Sequence, residues 1–236
     1  MATSDIKALV FDVFGTVVDW RSSITREGQA FGERLGLSAD WAKFADAWRG
    51  RYQPSMEAVR SGKREWMKLD DLHRESLVAL LNEFKLGPVS EAEIDDLNRA
   101  WHRLAPWPDC VPGLTRLRTR FALAPCSNGN IALLMNMARN AGLPWDAILG
   151  AEPARAYKPL PEAYLRTAGF LGLPPAQVMM VAAHNDDLVA ASEQGLRTAF
   201  IARPTEHGAN QQTDQRAEHA FDFVASSMED LADQLL

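Results

Sequence analysis

At 236 residues, with 47% hydrophobic and 24% charged side chains, the chain is long enough to bury a substantial core and too apolar for a disordered segment. Its formal net charge of −6, with Arg and Lys scattered among acids, argues against a nucleic-acid surface, which needs a basic patch, and leaves an anionic small substrate open. The cysteines Cys110 and Cys126 make neither a disulfide framework nor a metal cluster. No apolar run reaches membrane-spanning length, and MATSDIKALVF lacks the basic and long apolar regions of a secretory signal, so a protein of the reducing cytoplasm, without membrane partners, is expected.

Residues 6–11 (IKALVF) form a short apolar run closed by Asp12 and then by Gly15, the pattern of a buried strand that ends in a loop. The stretch from 20 to 107 differs: it carries no strand pattern, and Trp41, Phe44, Trp48 and Tyr52 recur at helical spacing. It reads as a helical insertion, with Pro106-Trp107-Pro108 as a stiff return. Apolar runs then resume at 121–126 (FALAPC), 178–183 (VMMVAA), 198–201 (TAFI) and 221–225 (FDFVA), with helical patterns over 131–141, 161–171 and 188–194 between them. This alternation predicts an α/β fold, a Rossmann-like parallel sheet built from 1–19 and 108–236, interrupted by a helical cap over 20–107. Ligands of such sheets gather beyond the carboxyl ends of the strands, so Asp12, Ser127 and His184 are expected to converge there.

Four segments at those strand ends carry the chemistry: DVFGT (Asp12 to Thr16), SNGN (Ser127 to Asn130), YKP (Tyr157 to Pro159) and HNDD (His184 to Asp187). Asp12 alone reads as a turn-stabilising aspartate, Ser127 as a helix cap, Lys158 as a surface lysine and Asp186 and Asp187 as capping residues. Their order along the chain reverses those readings. Together with Trp48-Arg49, the segments resemble the motifs of the haloacid dehalogenase superfamily, and specifically its type II L-2-haloacid dehalogenases, over nearly the whole chain.

The resemblance implies that Asp12 displaces halide from C2 of a short L-2-haloacid or haloacetate with inversion, and that water then hydrolyses the aspartyl ester to a 2-hydroxy acid. Lys158 would hold Asp12 and steady the oxyanion, while Thr16 and Asp187 orient the nucleophile, Lys158 or the water. Arg49 would take the halide, with Arg51 and Arg60 as alternatives, and Ser127 and Asn128 would meet the substrate carboxylate with amides at the start of the following helix. Val13, Phe14, Arg49, Ser127, Asn128, Tyr164 and His184 make up the implied substrate-binding set, and Trp20 and Trp66 are further candidates for the pocket wall.

The superfamily's phosphatases carry a second Asp where Phe14 stands and a magnesium-binding Asp where Ala183 stands, so no metal or other cofactor is expected. The family's Ser-Ser-Asn is replaced by Ala182-Ala183-His184, which leaves the substrate class open. Opening of L-azetidine-2-carboxylate, with Asp19 or Asp186 meeting its ring ammonium, is the alternative activity, a magnesium-dependent phosphatase a further one, and a silent binding module the reading from another class. The expected partner is a small anionic carboxylate rather than nucleic acid, and by resemblance alone a second copy of the chain in a homodimer.

Overall fold

A computed structural model describes residues 5–236. Strand β1 (Ala8–Phe11) leads into the short β2 (Val18–Asp19) and then into five helices: α1 (Trp20–Leu35), α2 (Trp41–Gly50), α3 (Tyr52–Arg60), α4 (Leu69–Glu83) and α5 (Glu91–Asn98). A 3-10 turn (Arg99–His102) and β3 (Ala105–Pro106) bring the chain back to α6 (Cys110–Leu117), β4 (Ala122–Pro125), α7 (Ile131–Ala141), α8 (Ala151–Ala154) and α9 (Pro161–Phe170). The chain closes with β5 (Val178–Ala182), α10 (Asn185–Glu193), β6 (Arg197–Ile201), β7 (Phe223–Ala225) and α11 (Met228–Leu235).

The main sheet is five-stranded in the order β4-β1-β5-β6-β7, and every pairing is parallel. Strand β1 is buried along its length, with Leu9 opposite Leu123 of β4 on one side and Met179 of β5 on the other. Successive side chains of a strand point to opposite faces, and both faces here are apolar. Leu9, Phe11, Met179, Val181, Ala199 and Ile201 pack into one core, whereas Val10, Val178, Met180, Ala182 and Phe200 pack into another with Tyr164 and Leu188. Burial on both faces explains why these strands read as continuous apolar runs. Cys110 and Cys126 are buried free thiols, each pushed up to about 12 by burial, and serve as packing groups.

The first core continues without a break into the helical segment through Phe14, Val17, Trp20, Phe44, Trp48, Tyr52, Leu72 and Trp101. Local chemistry sets the helix ends. Asp19 caps α1 by accepting from the Ser22 N–H at 3.0 Å, Asp40 caps α2 through the Lys43 N–H at 3.1 Å, and Ser90 and Glu93 form a reciprocal capping box on α5. Close packing of α1 on α2 depends on Gly28, where an added Cβ would lie 2.6 Å from the Trp41 ring.

One expectation fails in a small way. The stretch from 20 to 107 does contain a strand, because β3 pairs antiparallel with β2, Val18 opposite Pro106 and Asp19 opposite Ala105. The Trp107 N–H extends the ribbon to the Val17 carbonyl at 2.9 Å. A two-residue strand holding a proline has no periodicity to detect, and its pairing is set by the chain leaving and re-entering the sheet at one place. Among the described residues no helix is long and apolar enough to cross a membrane.

Within the helical segment, His73 of α4 is sealed among aromatic rings, its ring centroid 4.4 Å from that of Trp101, and neither ring nitrogen has a hydrogen-bond partner. Burial pushes its pKa down to about 3, against the pull of Asp70 and with the help of Arg49. The unfolded chain therefore takes up this proton first: the contribution to stability is complete above pH 6.5 and is lost as the pH falls toward 3. That slope is about 1.4 kcal/mol per pH unit for one group. The substitution His73→Phe keeps the stacking and removes the titration, so its urea midpoint should rise relative to wild type between pH 8 and pH 5. An unchanged difference between the two proteins at both pH values would contradict this.

Candidate active site

Asp12 follows β1 directly and still belongs to the sheet, its N–H bonded to the Val181 carbonyl at 3.0 Å. It stands at the carboxyl end of β1, which lies between β4 and β5 in the sheet, where connections to either side leave a crevice. The loop behind it is fixed from several sides. Val13 is fully buried and its carbonyl accepts from Val17 and Val18, the Trp107 indole donates to the Gly15 carbonyl at 2.8 Å, and Arg203 donates to the Thr16 carbonyl at 2.9 Å. Thr16 bridges two strand ends, since its hydroxyl donates to Asp12 Oδ2 at 2.8 Å and accepts the Ala183 N–H at 2.8 Å.

Lys158 faces the other carboxylate oxygen. Its ammonium donates to Asp12 Oδ1 at 2.9 Å and also to Asp187, whose Oδ1 in turn accepts from the Tyr164 hydroxyl at 2.6 Å. The backbone of Lys158 is held at both ends: its N–H donates to Asn128 Oδ1 at 2.8 Å, and its carbonyl accepts from Arg60 at 2.8 Å. Burial alone would raise the Asp12 pKa, but the Lys158 charge, followed by His184, holds it well below the ordinary carboxylate range. Burial would likewise strip the proton from Lys158, but Asp12 and Asp187 push its pKa up. Both groups are charged at neutral pH. Burial and the Asp187 charge raise Tyr164, which remains a neutral donor.

A second chain of contacts approaches Asp12 from the opposite side. His184 Nδ1 lies 3.1 Å from Asp12 Oδ2 and its Nε2 lies 2.9 Å from Glu206 Oε2. Glu206 is 1% exposed, accepts the Trp20 indole N–H at 2.9 Å and has His207 Nε2 3.6 Å away. Gly15 makes room for it: with φ at +92°, a Cβ there would sit 2.1 Å from Glu206 Oε1.

Arg49 of α2 closes the arrangement, its guanidinium carbon 4.1 Å from the Tyr52 ring centroid, 5.4 Å from Trp20 and 5.9 Å from Phe14. One of its guanidinium nitrogens is buried and has no acceptor. A cavity of about 780 Å³ opens here, with Asp12, Arg49, Tyr52, Asn128, Lys158 and His184 among its lining residues. A smaller one of about 480 Å³, which includes Trp20 and His207, shares Arg49, Tyr52, Gln53 and His184 with it.

The structure thus brings together Asp12, Thr16, Arg49, Lys158, Tyr164, His184 and Asp187, with Asn128 joined through the Lys158 backbone and Phe14 packed beside Arg49. Ser127 is differently used. Its hydroxyl accepts the Gly129 N–H at 3.2 Å, and α7 starts only at Ile131, whose N–H goes to Glu152 at 2.8 Å. Ser127 therefore does not cap that helix, and the first amide of the helix is already occupied. Of the alternative arginines, Arg51 turns to Glu83 at 2.5 Å, and Arg60 lines the cavity while bonded to the Lys158 carbonyl. Trp66 stacks on Tyr157 at 4.8 Å, and Asp19 is spent as the α1 cap, whereas Asp186 lines the larger cavity. Sequence reasoning missed Glu206 and His207, which lie in a polar loop after β6 with no motif around them, and passed over Tyr52 as one more residue of a helical stripe.

The family model of haloacid dehalogenase-like hydrolases matches residues 6–195. An (S)-2-haloacid dehalogenase of Xanthobacter autotrophicus is 30% identical over 200 residues, covering 84% of this chain and 76% of that protein. Among solved structures, a defluorinating L-2-haloacid dehalogenase superposes with a TM-score of 0.96 at 52% identity, covering 98% of this chain and 95% of that one. A further L-2-haloacid dehalogenase superposes with a TM-score of 0.95 at 48% identity, covering 98% of each chain. An all-parallel sheet with Asp12 at the end of its first strand, and matches along most of the sequence, lead to one conclusion: the chain belongs to the haloacid dehalogenase-like hydrolase family.

Proposed function

We propose that this protein is a hydrolytic dehalogenase of short L-2-haloacids or haloacetates that works through an ester on Asp12. One observation carries the reading: a buried, ionised carboxylate faces a cavity that Arg49 also lines, and one nitrogen of that guanidinium has no acceptor. The first is a nucleophile for carbon and the second a place for a departing anion. Relatives named (S)-2-haloacid dehalogenase and haloacetate dehalogenase support the substrate class.

In this mechanism an oxygen of Asp12 attacks C2 from the side opposite the halogen, and the halide leaves with the bonding electrons toward Arg49. The aromatic walls of Phe14, Trp20 and Tyr52 leave the guanidinium poorly hydrated, which strengthens its attraction for the anion. The substrate carboxylate is met by Asn128, which lines the cavity, with Ser127 next to it in the same loop and Val13 fully buried beside Asp12. Water then adds to the Asp12 carbonyl carbon, and the ester breaks to give the 2-hydroxy acid, a halide ion and a proton overall. Thr16 and Asp187 fix Asp12 and Lys158 for both steps, with Tyr164 holding Asp187. The helical segment 20–107 acts as the cap that brings Arg49 over the core.

A metal-dependent version of this site would need carboxylates at positions 14 and 183. Phe14 is packed edge-on against Tyr52 and Trp101, Ala183 has no ligand atom in its side chain, and the donor set fits a hard cation poorly. The test is chloride release from L-2-chloropropionate and chloroacetate in excess EDTA, run beside L-azetidine-2-carboxylate and a chromogenic phosphate. Chloride release should survive chelation, the lactate formed should be the D enantiomer, and Asp12→Asn should be folded and inactive. Turnover of the phosphate alone, dependent on magnesium, would contradict the reading, as would turnover confined to azetidine-2-carboxylate.

A further inference from the structure

The two oxygens of Asp12 are unequally occupied. Oδ2 has the Thr16 hydroxyl donating at 2.8 Å and His184 Nδ1 in ion-pair contact at 3.1 Å, whereas Oδ1 has Lys158 at 2.9 Å. An alkylated oxygen loses most of its power to accept hydrogen bonds, and a carbonyl oxygen keeps both lone pairs. Alkylation at Oδ1 therefore costs one contact, and Oδ2 remains as the ester carbonyl with the Thr16 hydroxyl and the His184 ring still beside it. When water adds to the carbonyl carbon, the negative charge develops on Oδ2.

His184 is the charged group in contact with that oxygen, and Glu206 is the group behind it. Before reaction, the imidazole stands between two carboxylates, Asp12 on Nδ1 and Glu206 on Nε2. Burial works against the imidazolium, but Glu206 and Asp12 together raise its pKa well above 6.5. Formation of the ester abolishes the Asp12 charge. From that moment Glu206 is the carboxylate in direct contact with the ring. It is itself held down, against burial, by His184 and then by Arg49 and His207, and it is locked in place by the Trp20 indole and the glycine at position 15.

We propose that Glu206 is a positioning residue for ester hydrolysis: its buried carboxylate keeps the His184 imidazolium aimed at Asp12 Oδ2, where the oxyanion forms. The inference rests on the dehalogenase reading above. In the first half-reaction Oδ1 bonds to C2, the carbon–halogen bond breaks and the halide takes the electron pair. In the second, a water oxygen bonds to the Asp12 carbonyl carbon while its proton passes to Asp187, and the carbonyl electrons move onto Oδ2 beside His184 and Thr16. They return as the bond to Oδ1 breaks, and the alkoxide recovers the proton from Asp187. The acid proton left on Asp12 goes to solvent. Glu206 is buried behind His184 and acts on the reacting atoms through that ring, so its effect is confined to the second half-reaction.

The charged and titratable groups around His184 are Asp12 at the end of β1, Asp187 on its own helix, Arg49 from α2, Glu206 and His207 from the loop after β6, and Lys158 beyond Asp12. His184 is needed protonated, so turnover falls as the pH rises through its elevated pKa, and loss of the Glu206 charge moves that limb to lower pH.

The experiment compares wild type with Glu206→Gln on chloroacetate, with chloride followed by rapid quench and Asp12 alkylation by mass spectrometry. The variant should release its first equivalent of chloride at close to the wild-type rate and then turn over about tenfold or more slowly, the scale expected for a weakened oxyanion donor. The peptide containing Asp12 should carry the ester in the steady state, and the alkaline limb should lie at lower pH. Partial recovery is expected in Glu206→Asp. First-turnover release and steady-state rate slowed alike, with no ester accumulating, would overturn the role of Glu206 and leave the dehalogenase reading intact. Absence of chloride release by the wild type would overturn both. A readout free of variant folding is the ring nitrogen resonances of His184 in the wild type at pH 8, assigned by their loss in His184→Asn. An imidazolium supports the proposal and a neutral ring overturns it.

Discussion

The site is organised around the buried ion pair of Asp12 and Lys158. Neither charge would survive alone at the end of a sheet covered on both faces, because removing one partner of such a pair typically costs about 3–5 kcal/mol. Once the pair is in place, most neighbouring polar groups have a reason to be where they are. Asp187 accepts a second ammonium N–H, Tyr164 satisfies Asp187, Thr16 occupies the far oxygen of Asp12, and Asn128 fixes the Lys158 backbone. Each contact limits the motion of a carboxylate that must reach carbon in line, and small misplacements there are expensive.

Around this pair the positive groups take different positions. Lys158 stands on the core side and has acceptors in two carboxylates, whereas Arg49 comes from the helical segment and has a nitrogen with none. The arginine is packed against three aromatic rings rather than paired with an acid, an arrangement that keeps its charge available for an incoming anion. Its position depends on the union of the two parts of the chain. One apolar core runs from Leu9 and Phe11 through Phe14 and Trp20 to Trp48 and Trp101, and a separate polar link ties Asp70 of α4 to Asn130 at the start of α7.

Much of this was legible in the sequence, for physical reasons that differ from residue to residue. Parallel strands buried on both faces leave unbroken apolar runs, and so β1, β4, β5 and β6 were recognisable within a residue or two at each end. Asp12 and His184 follow β1 and β5, so their convergence was legible from topology, whereas Lys158, between α8 and α9, and Asp187 were reached through the order of the four segments and the resemblance it carries. Glu206 offered no such signal, since it comes from an irregular loop and its partner His184 is 22 residues away. The helix cap offered as the plain alternative for Ser127 falls three residues later, at Asn130, a boundary that loop geometry decides. The pairing of Val18 with Pro106 was invisible for a similar reason: two-residue strands are products of tertiary structure.

The central claim is that Asp12, and not water, attacks the substrate carbon. A single turnover of L-2-chloropropionate by excess protein in heavy-oxygen water tests it, with the label read separately in the lactate and in the peptide containing Asp12. If water attacks the ester carbonyl, the heavy oxygen enters the Asp12 carboxylate and the first lactate is unlabelled. Label in the lactate hydroxyl with none at Asp12 would mean that water reaches C2 directly, and would contradict the covalent mechanism.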